Sequence, residues 1–388
     1  MLTLTAQGCR ARRERLWKSL QQQPDWIIIA DLDHVNYFSG YFPSPFVFRT
    51  NGSTAILLLG ANGESVLVAD NLVEPFADAA HVDRRILPVW YNGQESAGHR
   101  KKNVINAANE YLDAIPLDRI GVELSSVPTG IIQPLQSRTD APQILALDEE
   151  IMLLRRSKFP DEVALIRAAI HAGEAAHQRA LALVRPGMTE MDVYRLLVDA
   201  AVEDAGEPVT VYGDVVSGPR TEQVGGPPTD RVIKEGDLVI LDFSVILRGY
   251  RGDFTNTFVC GGDTTEIQKT LFSACLQALC AAQATLKPGT ACKDIDATVR
   301  SAFRGQGLED TFVTHSGHGI GLGHPDAPYL VPNSNEKLIA GDVIAIEPGQ
   351  YVSGVGGMRI EHNYLITPNG FDRLTNHALQ LEQVNTNA

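Results

Sequence analysis

The feature that most restricts how this chain can fold is an internal echo in its second half. "LVRPGMTEMDV" (183–193) is matched by "TLKPGTACKDI" (285–295), with the Pro-Gly pair and the later Asp in register. Further on, "IKEGDLVILD" (233–242) is matched by "LIAGDVIAIE" (338–347), which sets Asp242 opposite Glu347. Each half then runs through a glycine-bearing turn to a second acid, Asp253 in one and Glu361 in the other. Two matches in the same order predict two similar helix-plus-hairpin units related by an approximate two-fold axis.

The hairpins give the acids a geometry. Side chains alternate faces along a strand, so in "GDLVILDFS" Asp242 shares a face with Leu238 and Ile240. If the chain reverses near Leu247 and Arg248, Asp253 lies close to opposite Asp242, and a loop longer than two residues or a bulge at Gly249 is expected there. In "AIEPGQYVSGVGGMRIEH" a turn at residues 353–357 brings Glu347 towards Glu361. Four carboxylates then project into one space. Like charges raise each other's pKa, and uncompensated burial costs several kcal/mol per ion. The local basic residues are few, Arg248, Arg251 and Arg359, so a pair of divalent cations is the economical solution. The bland alternative is two solvated hairpins with their acids outward. Against it stand His315, His318 and His324 in "THSGHGIGLGHPDAP" (314–328), between the two hairpins and among glycines that let backbone approach closely. A neutral imidazole is a common metal ligand, and a second one can donate to a developing negative charge.

Composition sets the frame. With 388 residues, 44% hydrophobic and 21% charged, the chain reads as a soluble globular protein of two domains, without a run long enough to span a membrane. A formal charge of −14 argues against nucleic acid as a partner. Five cysteines without a CxxC pair read as reduced thiols in a cytoplasmic protein. The Arg-rich start, "MLTLTAQGCRARRERLWKSL", is read as a surface helix in preference to an organelle transit peptide. Before residue 155, the runs "WIIIA" (26–30), "AILLLG" (55–60), "SVLVAD" (65–70) and "RIGVEL" (119–124) alternate with helical stretches, which predicts a small α/β domain over residues 1–155. The second domain, 156–388, opens with a long helix. Pro160 suits its first position, Asp161 and Glu162 suit its positive end, and Val163, Ile166 and Ile170 form its inward face.

"GHGIGL", "EPGQYV" and "GGMRIEHNYLIT", with the Asp pair eleven apart, resemble the creatinase, prolidase and aminopeptidase P group of metallopeptidases. "YFSGYF" and "RRSKFPDEVALIRAA" are similar to the same group. The resemblance implies an α+β fold: a pseudo-symmetric pita-bread domain preceded by a smaller creatinase-type α/β domain. It also implies metal ligands at Asp242, Asp253, His318, Glu347 and Glu361, with Asp253 and Glu361 bridging two ions of Mn, Co, Fe or Zn. Such a pair would hold a bridging hydroxide and polarise the scissile carbonyl. Glu347 would act as acid/base, and His324 would stabilise the tetrahedral intermediate or orient substrate. Arg359 and His315 stand on the substrate side. Arg359 would steer a substrate carboxylate or else be a structural partner of the bridging acids.

The implied activity is hydrolysis of Xaa-Pro bonds in a small peptide, by a cytoplasmic homodimer. The alternatives are a small-molecule hydrolase or lyase on the same scaffold, creatinase-like or dimethylsulfoniopropionate-lyase-like, and a noncatalytic binding protein. Two departures keep the second reading open. Gly225 in "EQVGGPPTDRVI" stands where the group has a substrate-facing His, and His324 follows His318 by six residues instead of seven, before Pro325 and Asp326. His362 also stands where an Asp is common.

Overall fold

The computed structural model describes residues 2–383, and the chain forms two compact units, Met1–Arg155 and Arg156–Ala388. The first is built on six strands: β1 (Trp26–Ile29), β2 (Ala55–Gly60), β3 (Ser65–Ala69), β4 (Arg84–Ile86), β5 (Arg119–Val122) and β6 (Gln143–Ala146), in the order β4-β3-β2-β1-β5-β6. The four apolar runs of the sequence are β1, β2, β3 and β5, which occupy the middle of the sheet and are buried almost throughout. The two edge strands, β4 and β6, are short and largely exposed, so no apolar run announces them. Helices pack Val104, Ala108, Leu112, Ile131 and Leu135 against Ile28, Ile56, Val66 and Val122.

In the second unit, the helix Pro160–Leu183 begins at the predicted proline, and Glu162 accepts from the Phe159 N–H at 2.8 Å. Ile166 and Ile170 are buried, while Val163 is only partly so. Three strands follow as one antiparallel sheet, β7 (Thr210–Ser217), β8 (Asp237–Leu247) and β9 (Tyr250–Cys260), in that order. A second sheet has the order β11-β10-β12-β15-β16, from β10 (Gly317–Gly319), β11 (Asp326–Leu330), β12 (Val343–Ile346), β15 (His362–Thr367) and β16 (Gly370–Arg373). Strands β13 (Gly349–Val352) and β14 (Gly356–Arg359) form a separate pair. Helices Glu266–Gln283 and Cys292–Arg304 bury Leu271, Cys275, Val299 and Phe303 against Ile344, Ile346, Met358 and Ile360.

The predicted echo is physical. The turn before each equivalent helix bridges the segment before each equivalent strand: Thr189 with Val232 in the first half, Ala291 with Lys337 in the second. Backbone bonds repeat as well, Gly187 N to Ile233 O at 2.9 Å and Gly289 N to Leu338 O at 2.8 Å. Even the Gly-Asp turns match, with Asp237 accepting from Lys234 N at 2.7 Å and Asp342 from Ile339 N at 2.8 Å.

The first hairpin differs from expectation. Leu247 pairs with Tyr250, so the loop is the two residues Arg248 and Gly249, at φ +52° and +87°. Positive φ at both positions is the hairpin turn whose twist matches the strands. The expected reversal lay one residue too early, and the register shifts with it: Asp242 faces Thr255 and Asp253 faces Ser244. The two acids are diagonal neighbours on one face instead of directly opposed. The second hairpin turns at residues 353–355, between Val352 and Gly356. All five cysteines are free, and no described helix is long and apolar enough to cross a membrane.

Two predictions follow from this packing. Gly173 meets Phe254, next to Asp253, so closely that a Cβ there would lie 1.9 Å from the ring. Gly173→Ala should therefore cost about 1–3 kcal/mol through overpacking. Chemical denaturation measures it, and an unchanged midpoint would mean that the ring has room to move.

His177, His362 and His377 form a second buried cluster, with ring centroids 4.8 Å (His177–His377) and 4.9 Å (His362–His377) apart. Burial, reinforced by the neighbouring imidazole and by Arg373, pushes His362 down to about 3. Burial likewise pushes His377 down to about 4 and His177 well below its usual range. Above pH ~6.5 the folded and unfolded chains both hold these rings neutral. As pH falls from there towards the folded value of about 4, the unfolded chain takes up protons first and stability is lost. His377→Asn should flatten the fall of Tm with pH in that window, measured in chelator beside the parent. An equal slope in both would show that the ring is already charged in the fold.

Candidate metal centre

The β8–β9 hairpin carries the first two acids. Asp253 is buried; its Oδ1 accepts from Ser244 Oγ at 2.8 Å, and its Oδ2 lies 3.0 Å from His324 Nε2. Asp242 stands two residues along the same face, and its side chain is about a fifth exposed (21%). Glu347 and Glu361 occupy matching positions where the second hairpin breaks, between the pairs Ile346–His362 and Gly349–Arg359. Thr255 Oγ1 donates to Glu361 at 2.8 Å and Asn363 Nδ2 at 3.0 Å. The same Asn363 accepts from the Asp253 backbone N–H at 3.0 Å, so one amide fixes both acids proposed as bridges.

His318 sits on β10, paired with Ala345 of β12, which puts its ring on the face that carries Glu347. Both flanking glycines are needed for this approach: a Cβ at Gly317 would lie 2.1 Å from Ala345 O, and one at Gly319 2.1 Å from Ala327 O. His318 Nδ1 lies 2.8 Å from Gly319 O. A carbonyl only accepts, so Nδ1 carries a proton and Nε2 faces the acids, 3.2 Å from Glu347 and 3.7 Å from Asp253. His315 Nε2 lies 2.9 Å from the same Glu347. Behind this loop, Ser316 Oγ donates to Asp296 at 2.7 Å and Ser316 O accepts from Glu347 N at 3.0 Å, tying the histidines to the second hairpin.

All the sequence-predicted ligands thus converge. Three overlapping groups have ligand atoms within 4.8 Å of one another: Asp242, Asp253 and Glu361; His315, His318 and Glu347; and Asp253, His318 and His324. His324, expected beside the substrate, lies in the cluster itself, its ring 4.7 Å from that of His318. Arg359 is buried and faces inward: it donates to Asp242, to Tyr351 Oη at 2.5 Å and to Val224 O at 3.1 Å.

Burial, reinforced by Asp253, Glu347 and Asp214 and opposed by Arg359, raises Asp242 to about 6. Burial and the charges of Asp253, Glu347 and Asp242 hold Glu361 well above the usual carboxylate range. Burial acts against the His318 imidazolium too, but hydrogen bonding to Glu347 and the charges of Glu347 and Asp253 outweigh it and raise the ring to about 9. In Glu347 and Asp253 burial loses in the same way, to hydrogen bonds from the histidines, and both are lowered. An acid pushed towards its protonated form beside an imidazole pushed towards its charged form marks a site whose negative charge exceeds its own cations. Four oriented carboxylates with an imidazole whose Nε2 faces them suit divalent cations of the Mn, Co, Fe and Zn type.

Sequence reasoning missed the supporting groups, Ser244, Thr255 and Asn363, and one acid, Asp214. Asp214 pairs with Asp242 across β7 and β8 and lines the same cleft. Its only signal was a place in the strand-like stretch "TVYGDVVS", which says nothing of what it faces.

Comparison with known proteins agrees with this geometry. The profile of metallopeptidase family M24 matches residues 164–368, and that of the creatinase/prolidase N-terminal domain matches residues 12–157. The chain is 31% identical over 261 residues to an Xaa-Pro dipeptidase of Pyrococcus horikoshii, covering 66% of this chain and 72% of that one. It is 28% identical over 279 residues to the uncharacterized peptidase YqhT of Bacillus subtilis, covering 72% and 79%. Among solved structures, an X-Pro aminopeptidase from Thermotoga maritima superposes with a TM-score of 0.82 at 25% identity, covering 96% of this chain and all of that one (100%). The prolidase of Pyrococcus horikoshii gives 0.80 at 26% identity, covering 96% and 99%. With its pseudo-symmetric pita-bread fold, its preceding creatinase/prolidase N-terminal domain and its convergent acids, the chain belongs to metallopeptidase family M24 and is a metal-dependent peptidase.

Proposed function

We propose that the chain is a two-metal exopeptidase acting on Xaa-Pro bonds. The observation that carries this is the overlap of the metal-capable groups, since Asp253 belongs to two of them and is tied through Asn363 to Glu361. The likeness to the Xaa-Pro dipeptidase and the X-Pro aminopeptidase supports the substrate class. Asp242 would hold one ion, His318 and Glu347 the other, and Asp253 and Glu361 both. Bound there, two divalent cations would supply Lewis acidity to the scissile carbonyl and acidify a water molecule.

The chain's own residues do the rest. Glu347, held by His315 Nε2 at 2.9 Å, accepts the proton of the attacking water. As water oxygen bonds to the carbonyl carbon and the C–N bond breaks, that proton passes to the leaving nitrogen. His324 Nε2, at the open side of Asp253 with its side chain 40% exposed, donates to the developing oxyanion. His315 fixes the Glu347 carboxylate, and Arg359 braces Asp242. A homodimer and a cytoplasmic location, implied by the resemblance and the unpaired cysteines, belong to the same reading.

Elemental analysis after metal re-addition should find about two divalent ions per chain. Asp253→Ala and Glu361→Ala should each lower occupancy at both sites. Stoichiometry near zero after re-addition of Mn, Co, Fe or Zn would remove the two-metal mechanism.

The histidines separate by role. His318→Ala should lose metal, whereas His324→Ala should keep it and lose ~10²–10³ in kcat on an Xaa-Pro peptide. Equal metal loss in both variants would make His324 a ligand in place of a donor.

A further inference from the structure

We propose that Asp214 sets the charge preference of this cleft, making its β7 side a receptor for a positively charged group of the substrate. The inference rests on the peptidase reading above and names the substrate class more closely.

Asp214 and Tyr212 pair with Asp242 and Ser244 across β7 and β8. Directly opposed side chains share a face, so both stand on the face that carries the metal-binding acids. They line a cleft of 440 Å³ together with Asp242, Ser244, Arg251, Asp253 and His324. Arg251 shares that face but belongs to β9, at the opposite edge of the sheet. The β7 side therefore presents a carboxylate and an aromatic residue, and Tyr212 is 61% exposed. An exposed ring two residues from an acid on one strand face is a pairing that attracts cations by both charge and ring quadrupole.

The acid is only partly balanced from within: Arg359 Nη2 lies 3.9 Å away, within ion-pair range but beyond hydrogen-bond reach. That guanidinium is already engaged by Asp242, Tyr351 and the Val224 carbonyl. Exposure decides which of the two a substrate meets: the side chain of Asp214 is 40% exposed, that of Arg359 4%. A buried arginine flanked by two carboxylates is a poor receptor for a substrate carboxylate, and an acid at the mouth is a good one for a cation.

Gly225 makes room for this carboxylate. A Cβ at position 225 would lie 1.8 Å from Asp214 Oδ2, so any side chain there would displace the acid. The loop is built to hold that approach. Glu190, fully buried, accepts from Ser217 Oγ at 2.8 Å and Thr229 Oγ1 at 2.7 Å, and also binds Arg220. Val224 is held at φ +72°, which a β-branched residue adopts only when its surroundings impose it. Positions 214 and 225 are one device: the glycine is the space that the aspartate fills.

The test is kcat/KM on two peptide-amide series that differ only in charge. In one, Lys, norleucine or Glu precedes Pro; in the other, Lys, Gln or Glu follows Ala-Pro. With metal-loaded full-length protein, at least one series should run cation above neutral above anion, by about tenfold per step. Asp214→Asn should collapse those ratios to within about threefold. Gly225→Ala, which crowds the carboxylate out of place, should shift them the same way. Metal content is measured for each variant, because ratios that stay fixed while metal is lost would make Asp214 only a brace for Arg359 and Asp242, and overturn the proposal. A parent enzyme that cleaves all charges equally would overturn it too. If the parent cleaves neither these amides nor the free Xaa-Pro dipeptides, the peptidase reading fails by itself, and the charge order is then read from calorimetric binding of the same amides. Tighter binding of the Lys peptides that Asp214→Asn abolishes supports the proposal; equal binding ends it.

Discussion

Four carboxylates in one water-poor space are the constraint to which the second unit is built. Two unit charges ~4 Å apart repel by ~4 kcal/mol at the effective dielectric of a protein site, before the cost of burying either is counted. The side chains around the acids favour a proton on Glu361 and on His318 and set one guanidinium against Asp242. Divalent ions would replace the protons, which couples metal affinity to pH, since each ligand must give up its proton to bind.

The pseudo-two-fold repeat is how one chain brings such mutually repelling groups together. Neither hairpin has to hold more than two acids, and each is anchored by its own helix turn and Gly-Asp turn before it reaches the centre. The halves have since diverged. β8 and β9 run unbroken past Asp242 and Asp253, whereas the second hairpin splits at Glu347 and Glu361 into two ladders. The split frees Glu347 to meet His315 and His318, contacts that Asp242, at the equivalent position of the repeat, does not make.

Much of this was legible in the sequence, because repeats, strand alternation and turn residues are local signals. The central strands of the first unit, the helix at Pro160 and the convergence of Asp242, Asp253, Glu347 and Glu361 were open to that reading, while the choice of His318 among three loop histidines came from the family resemblance. What escaped it depends on register. A loop read one residue early turned diagonal acids into opposed ones. Asn363 and Thr255 looked like ordinary strand residues until cross-strand pairing placed them under Glu361 and Asp253. The inward turn of Arg359 depends on the Val224 carbonyl, 135 positions away in the chain.

The position of Gly225 shows the same limit from the other side. As a letter it was only a missing histidine; in the fold it is the near wall of the Asp214 carboxylate. The candidate metal ligands lie on β8, β9, β10 and the second hairpin, while this altered pair lies on β7 and the loop after it. Reaction chemistry and substrate choice thus rest on different segments, and one can change while the other is kept. A TM-score of 0.82 to an X-Pro aminopeptidase therefore carries the fold, and leaves the charge of the preferred substrate to two residues that such a superposition hardly weighs.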